Sequence, residues 1–227
     1  MKNRYKRGAH LKERKFKEVL RMFCADIEAV KVSRLTGVNR NAVNALFARF
    51  RGRIAELSEQ ERLSGAARVQ VDEAFFGGPA SPVSKRRFPI MHIIALGVID
   101  DVGTVYARQI SKVCKSEVVP IICSCCAAGA DVVSDGGAVY KALPALWFKH
   151  SFVNHSNGEF SRYEGLICVT TNRIEGFWGW TKVRLAKFKG IKYKDFPLHL
   201  AESVWRYNNR NRDIYRTLLD HFRNFPL

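Results

Sequence analysis

The stretch RVQVDEAFF at residues 68–76 decides the fold, together with the two apolar runs that come after it in the chain. These runs, IMHIIALGVI at 90–99 and TVYARQI at 104–110, are equally rich in β-branched and aromatic residues. Runs of this composition are typical of strands. The intervening Asp-Asp-Val-Gly at 100–103 is typical of a tight turn. These stretches therefore predict three strands in hairpin connection.

Helices and short strands alternate in the rest of this region. We predict a helix over 116–128, a strand over 131–134, a helix after the turn at Gly136 and Gly137, a strand over 147–153, and helices from Thr171 onward that divide near Gly190. This succession predicts a mixed sheet with helices on its faces, an α+β or α/β fold class. It is also the element order of the RNase H-like fold, an expectation that rests on analogy.

Residues 1–63 predict helices alone. An amphipathic helix over 11–23 and a short helix over 26–36 precede Gly37, and Asn39 is placed to cap a third helix. This pattern predicts an N-terminal helix-turn-helix DNA-binding domain. The polar residues 58–67 predict a linker to a catalytic domain over 68–227.

The third helix carries polar side chains on the face that its apolar positions leave free. We expect this face to contact DNA through Arg40, Asn41, Asn44 and Arg49. Residues near the start of such a helix reach base edges, and later arginines meet phosphates. The alternative is a plain three-helix bundle whose charged face is only solvated.

Positive charge dominates the composition. The chain has 38 Lys and Arg against 21 Asp and Glu, a formal net charge of +17, and both the first 65 residues and the remainder are net positive. Such an excess favours double-stranded DNA as the partner, although charge can also serve solubility alone. Since no apolar run approaches the length of a membrane span and no signal peptide is recognisable, we expect a cytoplasmic protein and no membrane partner.

The six cysteines raise the question of a zinc site. Cys123 and Cys126 form a C-x-x-C pair, but no second pair or histidine cluster follows at zinc-finger spacing. The pair lies in the apolar stretch IICSCCAAG. We therefore expect buried thiols.

Three acidic residues stand where the predicted fold could bring them together. Asp72 lies within the first strand, Asp135 follows the fourth strand, and Glu175 opens the first C-terminal helix. Carboxylates suit two Mg²⁺ ions, for which Mn²⁺ can substitute, and two such ions promote phosphodiester cleavage and transfer. Asp135 could instead serve only a turn, and Glu175 only the helix dipole. A strand carboxylate such as Asp72 is costly unless it is used.

Five motifs resemble the ISXO-two-like group of bacterial insertion-sequence transposases, the family numbered fifteen-ninety-five. They occur in the expected order, from about residue 16 to 215, as VDEAFFGG, VVSDGGAVY, FVNHS, TNRIEGFWGWTK and HLAESVWRYNNR. The resemblance implies the DDE mechanism, in which DNA is nicked at the element's ends and the freed 3′-hydroxyl attacks target DNA. It also implies that Asp72, Asp135 and Glu175 are the catalytic, metal-binding residues.

The resemblance assigns further residues to DNA. Lys182 matches a basic residue on the catalytic helix, and Asn172 lies on nearly the same face as Glu175. Two features differ from the family: the chain lacks a four-cysteine zinc ribbon, and Thr170 stands where relatives often have histidine. His155 is the nearby histidine that could support the site in its place.

The C-terminal helices interleave basic and aromatic residues. From this pattern we expect DNA contacts at Trp178, Arg206 and Arg210. Trp178 stands one turn after Glu175, so an exposed indole there could stack on a base at the cut. The alternative is that the aromatic residues belong to the core.

The combined expectation is a transposase that binds insertion-sequence ends, cleaves DNA with metal ions and joins the strands. Because transposition brings two ends together, we expect a homodimer or larger assembly on DNA. Two other functions remain open: an RNase H-like DNA nuclease without strand transfer, and a catalytically inactive, sequence-specific DNA-binding protein.

Overall fold

The computed structural model of the chain describes residues 3–6, 11–61, 63–77, 93–153, 158–159 and 161–227. The chain divides into two compact units. The first unit consists of residues 1–57 and 209–227, and the second consists of residues 58–208.

The described residues form seven α-helices and seven β-strands. The helices are α1 (Glu13–Cys24), α2 (Ala29–Thr36), α3 (Arg40–Gln60), α4 (Lys115–Cys125), α5 (Asn172–Ala186), α6 (Phe196–Asn208) and α7 (Ile214–Asn224). The strands are β1 (Ala66–Phe76), β2 (Ile93–Asp100), β3 (Val105–Ile110), β4 (Cys126–Ser134), β5 (Lys149–Phe152), β6 (Ser161–Glu164) and β7 (Ile167–Thr170). The chain is therefore of mixed α and β class.

The first unit has an aromatic core to which α7 contributes. The ring of Phe222 on α7 stacks on Phe50 at a centroid distance of 5.3 Å and meets the edge of Phe16 at 6.2 Å. The backbone N–H of Leu227 also donates to the carbonyl oxygen of Tyr5. The predicted domain boundary assigned residues 209–227 to the second domain, whereas these contacts place them in the first compact unit.

The second unit is built on a five-stranded mixed sheet in the order β3-β2-β1-β4-β5. The three consecutive strands β1, β2 and β3 pair antiparallel, as predicted. The strands β4 and β5 follow helical or 3₁₀ connections and run parallel to β1. The order places β1 at the centre of the sheet.

Each face of the sheet has its own apolar core because successive residues of a strand point to opposite faces. One core joins Val69 and Val71 of β1 to α4. The other joins Ala74 of β1 to α5 and α6. The sheet is therefore covered on both sides.

Three local predictions differ from the structure. The helix predicted over 116–128 ends at Cys125, because Cys126 already pairs with Ala66 as the first residue of β4. The hairpin of β6 and β7 was not predicted. The residues after Gly190 form two helices, α6 and α7, where one was predicted.

Two further observations concern the composition. Cys125 and Cys126 are buried as predicted, but Cys123 is exposed. None of the helices in the described part of the chain is long and apolar enough to cross a membrane.

Candidate active site

Asp72 lies on the central strand β1, on the face that α5 and α6 cover. It stands opposite Gly97 in the antiparallel ladder with β2. Gly97 leaves no side chain above the strand, and α5 fills this space: a Cβ atom on Gly97 would lie 2.6 Å from Cζ2 of Trp178. The absence of a side chain at Gly97 therefore lets α5 lie directly over the strand pair that carries Asp72.

Asp135 follows the carboxyl end of β4, next to β1 in the sheet. Its Oδ1 atom accepts a hydrogen bond from the N–H of Gly137. The preceding residue, Ser134, is fully buried, its Oγ lies 2.9 Å from Nε2 of His150 on β5, and the N–H of Gly136 donates to the same Oγ. These contacts fix the turn that carries Asp135.

Glu175 lies in the first turn of α5. Its Oε1 atom accepts a hydrogen bond of 2.6 Å from the hydroxyl of Thr171. The helix start is also tied to the β2–β3 turn, because the Arg173 guanidinium donates to the carbonyl oxygen and to Oδ1 of Asp101. Glu175 is itself exposed.

The pKa of the Asp72 carboxyl depends on its burial and on the charges of nearby acids, Asp135 and Glu175 among them. Burial raises the pKa of the Asp72 carboxyl to about 7, and the adjacent charge of Glu73 contributes to the increase. The negative charges of Asp135 and Glu175 raise the same pKa further. Like charges favour the protonated form of a carboxyl group, so Asp72 lies within the electrostatic reach of both.

Glu73, the residue after Asp72 on β1, is a fourth acid. It faces the other side of the sheet, where burial raises the pKa of its carboxyl and the nearby Tyr140 hydroxyl opposes the increase. Its Oε1 atom and the hydroxyl of Tyr140 are both buried, and within the described residues neither makes a hydrogen bond. The charge of Asp135 raises the pKa of Glu73 as well as that of Asp72. The charge of Asp135 thus raises the pKa of one carboxyl group on each face of β1.

The donor atoms suit a hard divalent cation, since all of them are carboxylate oxygens. A cation would also relieve the repulsion that raises the pKa of Asp72. Among the residues that the structure describes, however, no three acidic, histidine or cysteine side chains converge closely enough to hold an ion. Asp135 and Glu175 instead bond to their own turns through Gly137 and Thr171. The chemistry fits a metal, and binding would require these two side chains to turn towards Asp72.

The comparisons with known proteins concern this same region. The ISXO2-like transposase domain matches residues 62–208. The chain belongs to this transposase family. An uncharacterized transposase-like protein of Haemophilus influenzae is 33% identical over 105 residues, which are 46% of this chain and 81% of the relative. The family match covers the second compact unit and leaves the N-terminal helices outside it.

Two residues for which the sequence predicted DNA contacts are buried in the structure. Trp178 is 3% exposed and packs over Gly97 in the core beneath α5. Arg206 is 7% exposed, and its Nε atom donates to the buried carboxylate of Glu202. Both predictions were wrong, because the helix faces that carry these side chains point into the protein.

The other predicted DNA contacts on α5 and after α6 are at the surface. Asn172 and Lys182 on α5 are exposed. Arg210, just after α6, is exposed too. His155 lies outside the described residues. For the exposed residues, DNA contact stays a prediction.

The N-terminal helices expose the side chains expected to meet DNA. On α3, Arg40, Asn41, Asn44 and Arg49 are all exposed. Arg51, further along the helix, instead covers the ring of Phe47 at 5.7 Å. The exposed arginines of α3 therefore lie in its first half, whereas Glu56 and Glu59 are exposed further along.

Proposed function

We propose that this protein is a DDE transposase that cleaves DNA at the ends of an insertion sequence and joins them to target DNA. Asp72, Asp135 and Glu175 are the proposed catalytic residues. The observation that carries the proposal is the burial of Asp72 in the central strand, which raises the pKa of its carboxyl to about 7, with further contributions from the charges of Glu73, Asp135 and Glu175. Three acids from a central strand, a neighbouring strand and a covering helix are thus electrostatically coupled.

The topology supports the same proposal. The central strand β1 has an antiparallel neighbour, β2, on one side and a parallel neighbour, β4, on the other. The order β3-β2-β1-β4-β5 is the arrangement expected of an RNase H-like domain. In that arrangement, the acids of β1 and β4 stand at adjacent positions.

Each acidic residue has a distinct part in the proposed reaction. Asp72, the most buried of the three, would hold the cations from the strand, and Asp135 and Glu175 would complete their ligands. Two Mg²⁺ or Mn²⁺ ions held there would supply Lewis-acid activation of the attacking and leaving oxygens. The Asp72 carboxyl would have to be ionised to serve as a ligand. Exposed Lys182, two turns along α5 from Glu175, binds a phosphate of the DNA near the cut.

We propose that the first unit recognises the ends of the element as a helix-turn-helix. Gly37 ends α2 in the left-handed conformation at a φ of 69°, and the Ser33 hydroxyl donates to the carbonyl oxygen of Val38 across the turn. The Asn39 side chain then accepts from the N–H of Asn41 at the start of α3. This turn is compact, and it presents Arg40 and Asn41 at the helix start, where base edges are reached.

The experiment that tests the catalytic proposal is metal-dependent nicking of DNA that carries the element's own ends. We expect nicking by the wild type with Mg²⁺ or Mn²⁺, and its loss in Asp72→Ala and Glu175→Ala without loss of DNA binding. Asp220→Ala is the matched control, because this aspartate is exposed on α7 and pairs with Arg223 of the same helix. It should nick as the wild type does.

The possible results separate the competing functions. Nicking that persists in Asp72→Ala would show that the proposed acids are wrong. Nicking without joining of a precut 3′-hydroxyl end would favour a nuclease over a transposase. A wild type that binds the ends as a dimer or larger assembly, yet never nicks them, would be an inactive DNA-binding protein.

A further inference from the structure

The N–H groups at the start of α5 donate to three different residues. The first four N–H groups of an α-helix have no acceptor within the helix. Each of these groups needs another acceptor when it is buried. The N–H of Asn172 donates to the Thr170 hydroxyl, and the N–H of Glu175 donates to the Thr171 carbonyl oxygen. The two groups between them, on Arg173 and Ile174, donate to the side chain of Gln70.

Gln70 therefore caps a helix that lies about a hundred residues away in sequence. Its Oε1 atom accepts from the N–H of Arg173 at 3.0 Å and from that of Ile174 at 3.2 Å. Gln70 is 8% exposed on β1, two residues before Asp72 and on the same face of the strand. One strand thus carries Asp72 and, two positions earlier, the acceptor that holds the helix of Glu175.

The helix has no cap of its own that could replace Gln70. Thr171 occupies the N-cap position, but its side chain makes no capping hydrogen bond and its hydroxyl donates to Glu175 instead. Ser and Thr at this position ordinarily satisfy the N–H of the second or third helical residue. Here the Thr171 hydroxyl orients the acid, and the capping is left to Gln70.

We propose that Gln70 is a positioning residue for the active site. By accepting both N–H groups it fixes the start of α5 on β1, and so it sets where Glu175 stands relative to Asp72. This inference rests on the proposed function for its catalytic consequence. The anchoring of α5 by Gln70 can be measured without it.

The other contacts of α5 do not set this position in the same way. The Arg173 guanidinium holds the exposed β2–β3 turn at Asp101. Ile174 and Trp178 pack on Gly97 through apolar contacts, which are not directional. The two hydrogen bonds to Gln70 are directional, are largely shielded from water, and reach the helix one residue before Glu175.

The test compares Gln70→Met, Gln70→Glu and wild type. Methionine has a similar length but removes the strong acceptor, whereas glutamate keeps an oxygen that the helix start favours. The first readout is hydrogen exchange at the amides of Arg173 and Ile174, measured without metal. The second is the affinity for Mn²⁺ alone, and the third is kcat for nicking beside the affinity for DNA.

Gln109→Met is the matched control. Gln109 lies on β3 of the same sheet, and its Oε1 atom is buried without a hydrogen-bond partner among the described residues. Replacing it removes an amide from the sheet but no hydrogen bond at that oxygen. It should leave the exchange at α5 and the Mn²⁺ affinity unchanged.

We expect Gln70→Met to speed exchange at Arg173 and Ile174 by about tenfold. We also expect it to weaken Mn²⁺ binding by about tenfold and to lower kcat while DNA affinity is kept. Gln70→Glu should keep the slow exchange and should bind Mn²⁺ at least as well as the wild type.

Two results would overturn the proposal. One is wild-type exchange at both amides in Gln70→Met. The other is faster exchange accompanied by unchanged Mn²⁺ affinity and kcat, which would make Gln70 an anchor without influence on the site. A wild type that binds no Mn²⁺ would defeat the proposed function instead, and the exchange data would still decide whether Gln70 anchors α5.

Discussion

The indole of Trp178 lies over Gly97 so closely that a Cβ atom on the glycine would be 2.6 Å from Cζ2. Real side chains do not tolerate such a distance, and the atoms it involves belong to a buried ring rather than to a flexible chain end. Gly97 also stands opposite Asp72 in the ladder between β1 and β2. The fit between glycine and indole therefore controls how closely α5 approaches the strand of the candidate active site.

We expect Gly97→Ala to push α5 away from the sheet. Overpacking of this kind costs about 1–3 kcal/mol of the free energy of unfolding. It should also reduce metal-dependent nicking, because Glu175 moves with the helix. Urea denaturation and the nicking assay measure the two effects.

Gly179→Ala is the counterpart on the same helix. A Cβ atom on Gly179 meets nothing within 4 Å, so alanine should raise the free energy of unfolding by about 0.5–1 kcal/mol through its higher helix propensity. Equal effects of the two substitutions would show that helix propensity, and not the space above Gly97, decides the outcome.

The pH dependence of stability should change in Asp72→Asn when divalent ions are removed with EDTA. The folded-state pKa of Asp72 is raised to about 7, above the ordinary value of 3.8. Between these values the folded protein holds a proton that the unfolded chain has lost, so stability falls as pH rises and levels off above pH 7. Asparagine removes this loss, which is worth about 3 kcal/mol between pH 5 and pH 8 at about 1.4 kcal/mol per pKa unit.

The measurement is the free energy of unfolding of both proteins at pH 5 and pH 8. The free energy of unfolding of the variant should increase relative to that of the wild type as the pH increases. Curves that stay parallel would mean that Asp72 ionises normally in the folded protein. Adding Mg²⁺ should narrow the difference in the free energy of unfolding between the two proteins at pH 8, because Mg²⁺ stabilises the wild type alone.

Glu202→Gln should destabilise the second unit severely. Glu202 is fully buried between Arg184 and Arg206, with ion-pair distances of 2.5 and 2.9 Å. The substitution removes the carboxylate that the two buried guanidinium groups share, at a cost of about 3–5 kcal/mol. Thermal or urea denaturation measures this cost.

The exposed pair of Asp220 and Arg223 provides the comparison. Both side chains are 52% exposed, so Asp220→Asn should change the free energy of unfolding by no more than about 1 kcal/mol. A Glu202→Gln protein as stable as this control would show that the buried carboxylate is not needed to balance the two arginines.

DNA binding should depend on salt through the exposed cations and not through Arg206. We expect Arg49→Ala and Lys182→Ala each to lower the slope of log K against log salt concentration by about one. Arg206→Met should leave the slope unchanged in whatever fraction folds, since its guanidinium is bonded to Glu202. An unchanged slope in Arg49→Ala and Lys182→Ala would remove these residues from the DNA-binding surface.

Local patterns predicted five of the seven strands. The alternation in β1, the turn after Ser134 and the start of α5 are all encoded by neighbouring residues, so the bounds of these elements follow from them. The hairpin of β6 and β7 has a local signal in the sequence: Gly165 and Leu166 form a turn between β-forming residues such as Tyr163 and Val169.

Contacts between distant segments could not be predicted in this way. Trp178 and Glu175 are one turn apart on α5, yet the indole is buried and the carboxylate is exposed. Which side of the helix meets the sheet depends on the packing at Gly97. The spacing of residues along the helix does not show this packing. The capping of α5 by Gln70 is likewise invisible until strand and helix are placed together.

The packing of α7 on Phe16 and Phe50 has a consequence for how the chain is made. Translation delivers α1, α2 and α3 before the second unit, but the aromatic core they share with Phe222 lacks a ring until α7 leaves the ribosome. The whole second unit is synthesised in the interval. A ribosome that stops before residue 214 would therefore release a chain with a complete second unit, which carries Asp72, Asp135 and Glu175, and with N-terminal helices whose core lacks the ring of Phe222.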